Sequence, residues 1–221
     1  MKKQLLLTIF MALLAGKALA QGGYTIKVGG TYSSFRGQGS EQDLGFALGI
    51  GREWKISKRT GLAFELMYTA KKAVFRNKTV AHEYYWYFGD AFDIYSDIRY
   101  IEIPFTWKYY LPIKKSLLIK LYVGPSLELA IRDRSKMRHL YNIDTPQRDF
   151  KYDFVFSQYE DPWPWLGRSG FNVNGGIAID WSAFTVELRY SRALHDVDVI
   201  SYIAMNEKLD FLQLLIGLRI E

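Results

Sequence analysis

Residues 99–112 read RYIEIPFTWKYYLP. Ile101, Ile103, Phe105, Trp107 and Tyr109 alternate with Glu102, Pro104, Thr106, Lys108 and Tyr110. A period of two sets these on opposite faces of one β-strand. One face is bulky, apolar and aromatic, while the other mixes ions with proline and threonine. A soluble sheet would bury the first face and hydrate the second. The reading turns on how often the pattern recurs and on what the polar face contains.

It recurs at 24–32, 44–54, 62–69, 117–129, 171–180, 184–191 and 212–220, so eight strands are predicted. Connections at Ser57–Thr60, Pro112–Ser116 and Trp181–Ala183 are tight, whereas 36–42, 72–97, 132–168 and 195–208 are longer. Short turns at one end and long loops at the other predict an all-β fold, an eight-stranded antiparallel transmembrane β-barrel of the outer-membrane type. The face opposite the bulky residues holds mainly Gly, Ala, Ser, Thr, Asn and ions, which suits the narrow lumen of eight strands. A soluble barrel of the lipocalin kind would put bulk inside and charge outside. The greasy face is therefore read as lipid-facing.

Aromatic residues give a second line of support. With the mature N-terminus periplasmic, Trp54, Trp107, Tyr109 and Trp181 fall near the short-turn ends and predict a periplasmic girdle. Tyr24 and Phe184 share that level, and Tyr32, Tyr68, Phe171 and Tyr190 predict the opposite belt. Arg52 breaks the lipid face beside Trp54, where a long cationic side chain can snorkel to the interface.

The chain has 221 residues and a formal charge of +6. Its first twenty residues, MKKQLLLTIFMALLAGKALA, combine a charged start, a short apolar core and Ala18-Leu19-Ala20. They read as a signal peptide cleaved after Ala20, leaving residues 21–221 as the barrel domain. Lys2, Lys3 and Lys17 belong to that segment; without them 26 basic residues face 23 acidic ones. Such a balance, with no long basic run, does not point to nucleic acid. The absence of cysteine excludes disulfides and thiolate metal sites, and no histidine pair has metal-ligand spacing, so no metal or cofactor is expected. No later run is long and apolar enough for a membrane helix.

Three groups of residues are candidates for function. The inward face carries Glu53, Lys55, Glu65, Glu102, Lys108, Lys120, Glu128, Glu187 and Arg189. Charges in a confined lumen must pair or hold water, so this set is read as an ion path or as a polar plug. Glu102, Lys108, Lys120 and Glu128 lie on neighbouring strands and suggest one connected network. Pro104 and Pro125 each remove a ladder donor, and a shared bulge or break is expected there. The second group is the pair of aromatic loop stretches, HEYYWYFGDAFDIY (82–95) and DFKYDFVFSQYEDPWPWLG (149–167). Tyr84, Tyr85, Trp86, Trp163 and Trp165 are candidate contacts with a partner, or else the loops pack on each other. RDRSKMRH (132–139) is basic enough to meet lipopolysaccharide phosphates. The third group is His82, His139 and His195; His195 beside Asp196, with Ser191 and Ser201 nearby, admits a lipid hydrolase at the rim. A small-solute pore is the other alternative to a non-enzymatic role.

At YIEIPFTWKYYLP (100–112), LYVGPSLELA (121–130) and FTVELRYSRAL (184–194) the chain resembles the outer-membrane β-barrel domain of PorT-like, or porin-family, proteins of diderm bacteria. IGLRI (216–220) is similar to that family's terminal strand, although the chain closes on Ile220-Glu221 instead of an aromatic residue. The resemblance spans residues 21–221 and its motifs mark barrel strands rather than active sites. It implies an outer-membrane protein with an envelope or secretion-system partner, in contact with outer-membrane lipid and lipopolysaccharide.

Overall fold

The computed structural model describes residues 23–36, 40–79, 90–114, 116–133, 136–142, 153–155, 170–194 and 208–220. The strands are β1 (Tyr24–Phe35), β2 (Ser40–Lys55), β3 (Thr60–Thr79), β4 (Asp90–Lys114), β5 (Leu117–Asp133), β6 (Lys136–Asn142), β7 (Asp153–Val155), β8 (Gly170–Trp181), β9 (Phe184–Ala193) and β10 (Leu209–Ile220). Pairing runs β3-β2-β1-β10-β9-β8-β5-β4, and β3 also pairs with β4. Eight antiparallel strands therefore close into a ring, the barrel that the alternation predicts. Closure leaves no edge in the ring, so every backbone donor and acceptor at membrane depth has a strand beside it. β6 and β7 lie outside the ring, added in turn to the far end of β4.

The alternation sets the faces. Leu214 and Ile216 on β10 are 56% and 57% exposed, whereas Arg189 on β9 and Glu102 on β4 are 0% exposed. Ile26, Val28, Leu48, Ile50, Phe105, Val123 and Val186 repeat the exposed apolar pattern around the ring. Ions are enclosed and hydrocarbon is presented, the inverse of a soluble barrel.

The tight turns have local causes. The Ser57 hydroxyl accepts the Thr60 N–H at 3.0 Å and the Arg59 N–H at 3.1 Å, closing β2 onto β3. Between β8 and β9 only Ser182 and Ala183 intervene, since Trp181 pairs with Phe184. Ser182 takes the left-handed φ of 56° that such a turn demands.

The segment expected as a loop over 72–97 is strand at both ends. β3 continues to Thr79 and β4 begins at Asp90, with Lys78 opposite Phe92 and Thr79 opposite Ala91. Likewise the expected loop over 132–168 contains the end of β5, then β6 and β7. Beyond the lipid no face has to be greasy, so the alternation lapses while the backbone ladder goes on.

The prolines interrupt the ladder without a slip. Pro104 pairs with Ser126 and Trp107 with Val123, but the positions between take no partner across the β4–β5 seam and the register is unchanged. The finding is thus a break and not a bulge. A Cβ on Gly124 would collide with the Phe105 carbonyl oxygen, so glycine lets the strands approach there.

Candidate functional site

The lumen holds three levels of charge. Nearest the short turns, Glu53 of β2 collects donors from two strands. Lys120 Nζ lies 2.9 Å from both of its oxygens, Lys108 Nζ lies 3.0 Å from Oε2, and the Tyr110 hydroxyl donates to Oε1 at 3.1 Å. Lys120 also meets Asp180 of β8 at 2.7 Å. Asp180 accepts from the Thr185 hydroxyl at 2.9 Å and from Arg219 at 3.4 Å.

At mid-height Lys27 and Arg189 face Glu65 and Glu187. Lys27 Nζ is 2.6 Å from Glu65 and 2.5 Å from Glu187. Arg189 Nη2 is 2.5 Å from Glu65 and 2.5 Å from Glu187, and its Nε donates to Glu187 at 2.8 Å. The Tyr122 hydroxyl donates to Glu187 Oε1 at 2.6 Å. Two cations and two anions balance, all almost completely buried, the condition under which enclosed charge is tolerated. A Cβ on Gly176 would meet the Tyr122 ring, so glycine makes the room in which that tyrosine reaches its carboxylate.

The third level lies towards the long connections. Lys71 pairs with Glu128 and sits 4.6 Å from the Tyr100 ring centre and 3.6 Å from that of Phe211. Glu102 accepts from the Thr69 hydroxyl at 3.1 Å and the Ser126 hydroxyl at 3.3 Å. Asn172, Asn174 and Gln213 also face the lumen, and among the described residues their amides take no hydrogen-bond partner. Phe35, Ile98, Leu209 and Phe211 are buried at this end.

Sequence reasoning groups Glu102, Lys108, Lys120 and Glu128; the structure divides them. Lys108 and Lys120 share Glu53, while Glu102 and Glu128 belong to the upper level. Six residues of strand separate Glu102 from Lys108, about 20 Å at the rise of a strand, which no side chain bridges. Lys55 is exposed beyond the lumen, because its strand ends there. Lys27, Lys71 and Asp180 were missing from the inward ionic set. The phase that places Thr25, Gly29 and Thr31 inward also places Lys27 there, and the phase of β8 does the same for Asp180. Lys71 lay past the strand end inferred at Thr69.

On the outer wall Trp107 and Trp181 are exposed and Trp54 and Tyr109 half-exposed, all close to the short turns. Leu62 pairs with Trp54 on one side and Trp107 on the other, so three strands share that level. At the opposite end Phe46 and Tyr68 stack with ring centres 5.6 Å apart. In the extension, Arg76 of β3 binds Glu41 and Asp93 at 2.9 Å each and donates to the Tyr95 hydroxyl at 2.9 Å. Its hydrogen bonds to Asp93 and Glu41 hold the guanidinium pKa above its ordinary value.

Tyr84, Tyr85, Trp86, Trp163 and Trp165 lie outside the described residues, as do residues 1–22, His82, His195 and Ser201. His139 is within β6, where its backbone pairs with Phe92. Among the described residues no three His, Cys, Asp or Glu side chains are grouped to hold a metal ion.

Solved structures similar to this chain include outer-membrane proteins. The attachment invasion locus protein Ail of Yersinia pestis is 14% identical over 90% of this chain and 99% of its own, with a TM-score of 0.42. OprG of Pseudomonas aeruginosa is 10% identical over 92% and 98%, with a TM-score of 0.43. Neisserial surface protein A is 12% identical over 89% and 97%, with a TM-score of 0.39. No curated protein matches the sequence. The family model described as "Outer membrane protein beta-barrel domain" matches residues 20–199. With most of the sequence inside that match and a closed ring of eight lipid-facing strands, the chain belongs to the outer membrane protein β-barrel domain family.

Proposed function

We propose that the protein is a non-enzymatic outer-membrane barrel whose ion-filled ring anchors an extended sheet, and that this sheet binds another component of the envelope. The observation that carries the reading is the length of the β3–β4 ladder. About 9–11 residues suffice for a strand to cross a bilayer, yet β3 has 20 residues and β4 has 25. Past Tyr68, the last large outward residue of the apolar band, the pair continues to Thr79, about 36 Å of strand. Arg76 ties this extension to β2, and β6 widens it. A membrane anchor alone has no use for such a projection, whereas a docking platform does.

The short-turn rim is the periplasmic one in this reading, and the segment ending at Ala20 directs export and is removed. Envelope structural support and a secretion accessory role, as the PorT-like resemblance implies, are two versions of the same proposal. Lipopolysaccharide and an envelope or secretion-system protein are the partners it names. The paired charges of the lumen support a closed ring, since an ion crossing it has to displace partners already matched.

A photo-crosslinking residue placed in cells at Lys72 or Arg132, on the long-connection side, tests the platform. Capture there of an envelope protein or lipopolysaccharide, and not at Lys58 on the opposite rim, is expected. Equal capture at all three positions, or none, overturns it. Planar-bilayer recording of the purified barrel is expected to be silent, and steady conductance overturns the closed lumen.

A further inference from the structure

The two rims of the barrel carry charge differently. At the long-connection end three arginines stand beside acids: Arg36 meets Asp210 at 2.6 Å, Arg99 meets Asp97 at 2.9 Å, and Arg76 meets Glu41 and Asp93 at 2.9 Å each, while exposed Arg132 and Arg192 take no acidic partner among the described residues. At the short-turn end Lys55, Lys58, Arg59 and Lys114 are exposed and none takes an acidic partner among the described residues. Among the described residues the acids of that end are Glu53 and Asp180, which point inward and are occupied by Lys108, Lys120 and Arg219. Among the described residues, a collar of positive charge without outward acids therefore borders the lipid-facing band directly.

Arg52 joins the collar to the band. It lies on the outer face of β2, between Tyr24 of β1 and Phe64 of β3 in the ladder. Its guanidinium carbon is 5.1 Å from the Tyr24 ring centre and 5.4 Å from that of Trp54, and its Nε, covered by these neighbours, has no hydrogen-bond partner among the described residues. Aromatic contact holds the group in place, and its terminal Nη groups take no hydrogen-bond partner among the described residues. Exposed Ile26 and Ile50 continue the wall from it towards mid-membrane.

We propose that this rim is a binding site for anionic phospholipid, with Arg52 as the anchor for the headgroup phosphate and Lys58 and Arg59 adding charge from the adjoining turn. The chemistry is complementary on both sides. A forked, stacked guanidinium suits a phosphate oxygen pair, and the apolar wall beside it takes the acyl chains. The adjacent wall favours a lipid over free phosphate, because a free ion gains nothing from it. This site deepens the reading of membrane lipid as a partner, and its test is separate from capture at the far rim.

The full mature chain, refolded in phosphatidylcholine vesicles, is titrated with spin-labelled phosphatidylglycerol or phosphatidylcholine, and the motionally restricted fraction is read by electron paramagnetic resonance. The wild type is expected to favour phosphatidylglycerol several-fold. Arg52→Gln should lose part of that preference, and R52Q/K58Q/R59Q most of it. R132Q/R192Q, at the other rim, should keep it. Folding is checked by heat-shifted gel mobility. If the triple variant does not fold, the single Arg52→Gln comparison decides. Equal association of the two lipids with the wild type overturns the proposal, as does a preference that survives Arg52→Gln and the triple substitution unchanged. Loss of the preference on adding excess inorganic phosphate at constant ionic strength also overturns it, assigning the site to free anion.

Discussion

Replacing Arg189 by methionine is expected to destabilise the barrel by about 3–5 kcal/mol, the usual cost of removing one partner from a buried ion pair. The structure supplies the reason. Arg189 is 0% exposed and contacts Glu65 and Glu187 at 2.5 Å each. Without it, two enclosed carboxylates share Lys27, with Lys108 at 4.0 Å from Glu65 as a more distant cation. At an effective dielectric of about 20, one ion pair some 4 Å apart is worth about 4 kcal/mol, so the Coulomb estimate agrees with the mutational range. Methionine keeps much of the side-chain volume, which limits any cavity effect. Urea unfolding in lipid vesicles, followed by tryptophan fluorescence, reads the change. With a slope of about 2–3 kcal/mol per molar, the midpoint should fall by about 1–2 M. Glu187→Gln in the same chain leaves Lys27 and Glu65 matched, so the double variant should recover part of the loss, with a coupling near 2 kcal/mol. A shift of Arg189→Met below about 0.3 M, or additive single and double variants, would refute the desolvated network and show that water already screens it.

Position on the outer wall decides other outcomes. Leu214→Arg, near the middle of β10, should cost about 2–4 kcal/mol in the same assay, and Ile220→Arg, at the strand end, about 0–1 kcal/mol; equal costs would contradict the lipid-facing band. Gly176→Val should drive a side chain into Tyr122 and its bond to Glu187, costing at least the 1–3 kcal/mol of overpacking, with part of the loss recovered in Tyr122→Phe/Gly176→Val. Arg76→Gln should leave the unfolding midpoint within about 1 kcal/mol, because exposed ion pairs contribute little. Amide exchange at Lys78 and Thr79 should nevertheless quicken, since the bonds lost are those that hold the extension.

The barrel was legible because lipid imposes one rule on each strand, and the rule has a period of two. Ile101 through Tyr109 obey it, as do Phe184 through Tyr190, and each phase sorts both faces at once. The same phase carries Lys27 and Asp180 inward, where they join the ionic set. Where lipid ends, the rule ends: nothing in KKAVFRNKT (71–79) alternates strongly, and its strand character comes from β4 alongside. Partner choice within the lumen was likewise out of reach, because periodicity gives direction but not height.

The eight strands of the ring and their inward and outward residues follow from the order of amino acids alone, because each depends on side chains only a few positions apart. Pairing of Lys108 and Lys120 with Glu53, of Lys71 with Glu128, and the sheet raised above the rim depend on which strands become neighbours and at what stagger. Those relations join residues far apart in the chain, as Lys27 and Glu187 are joined, and only closure of the ring brings them within reach.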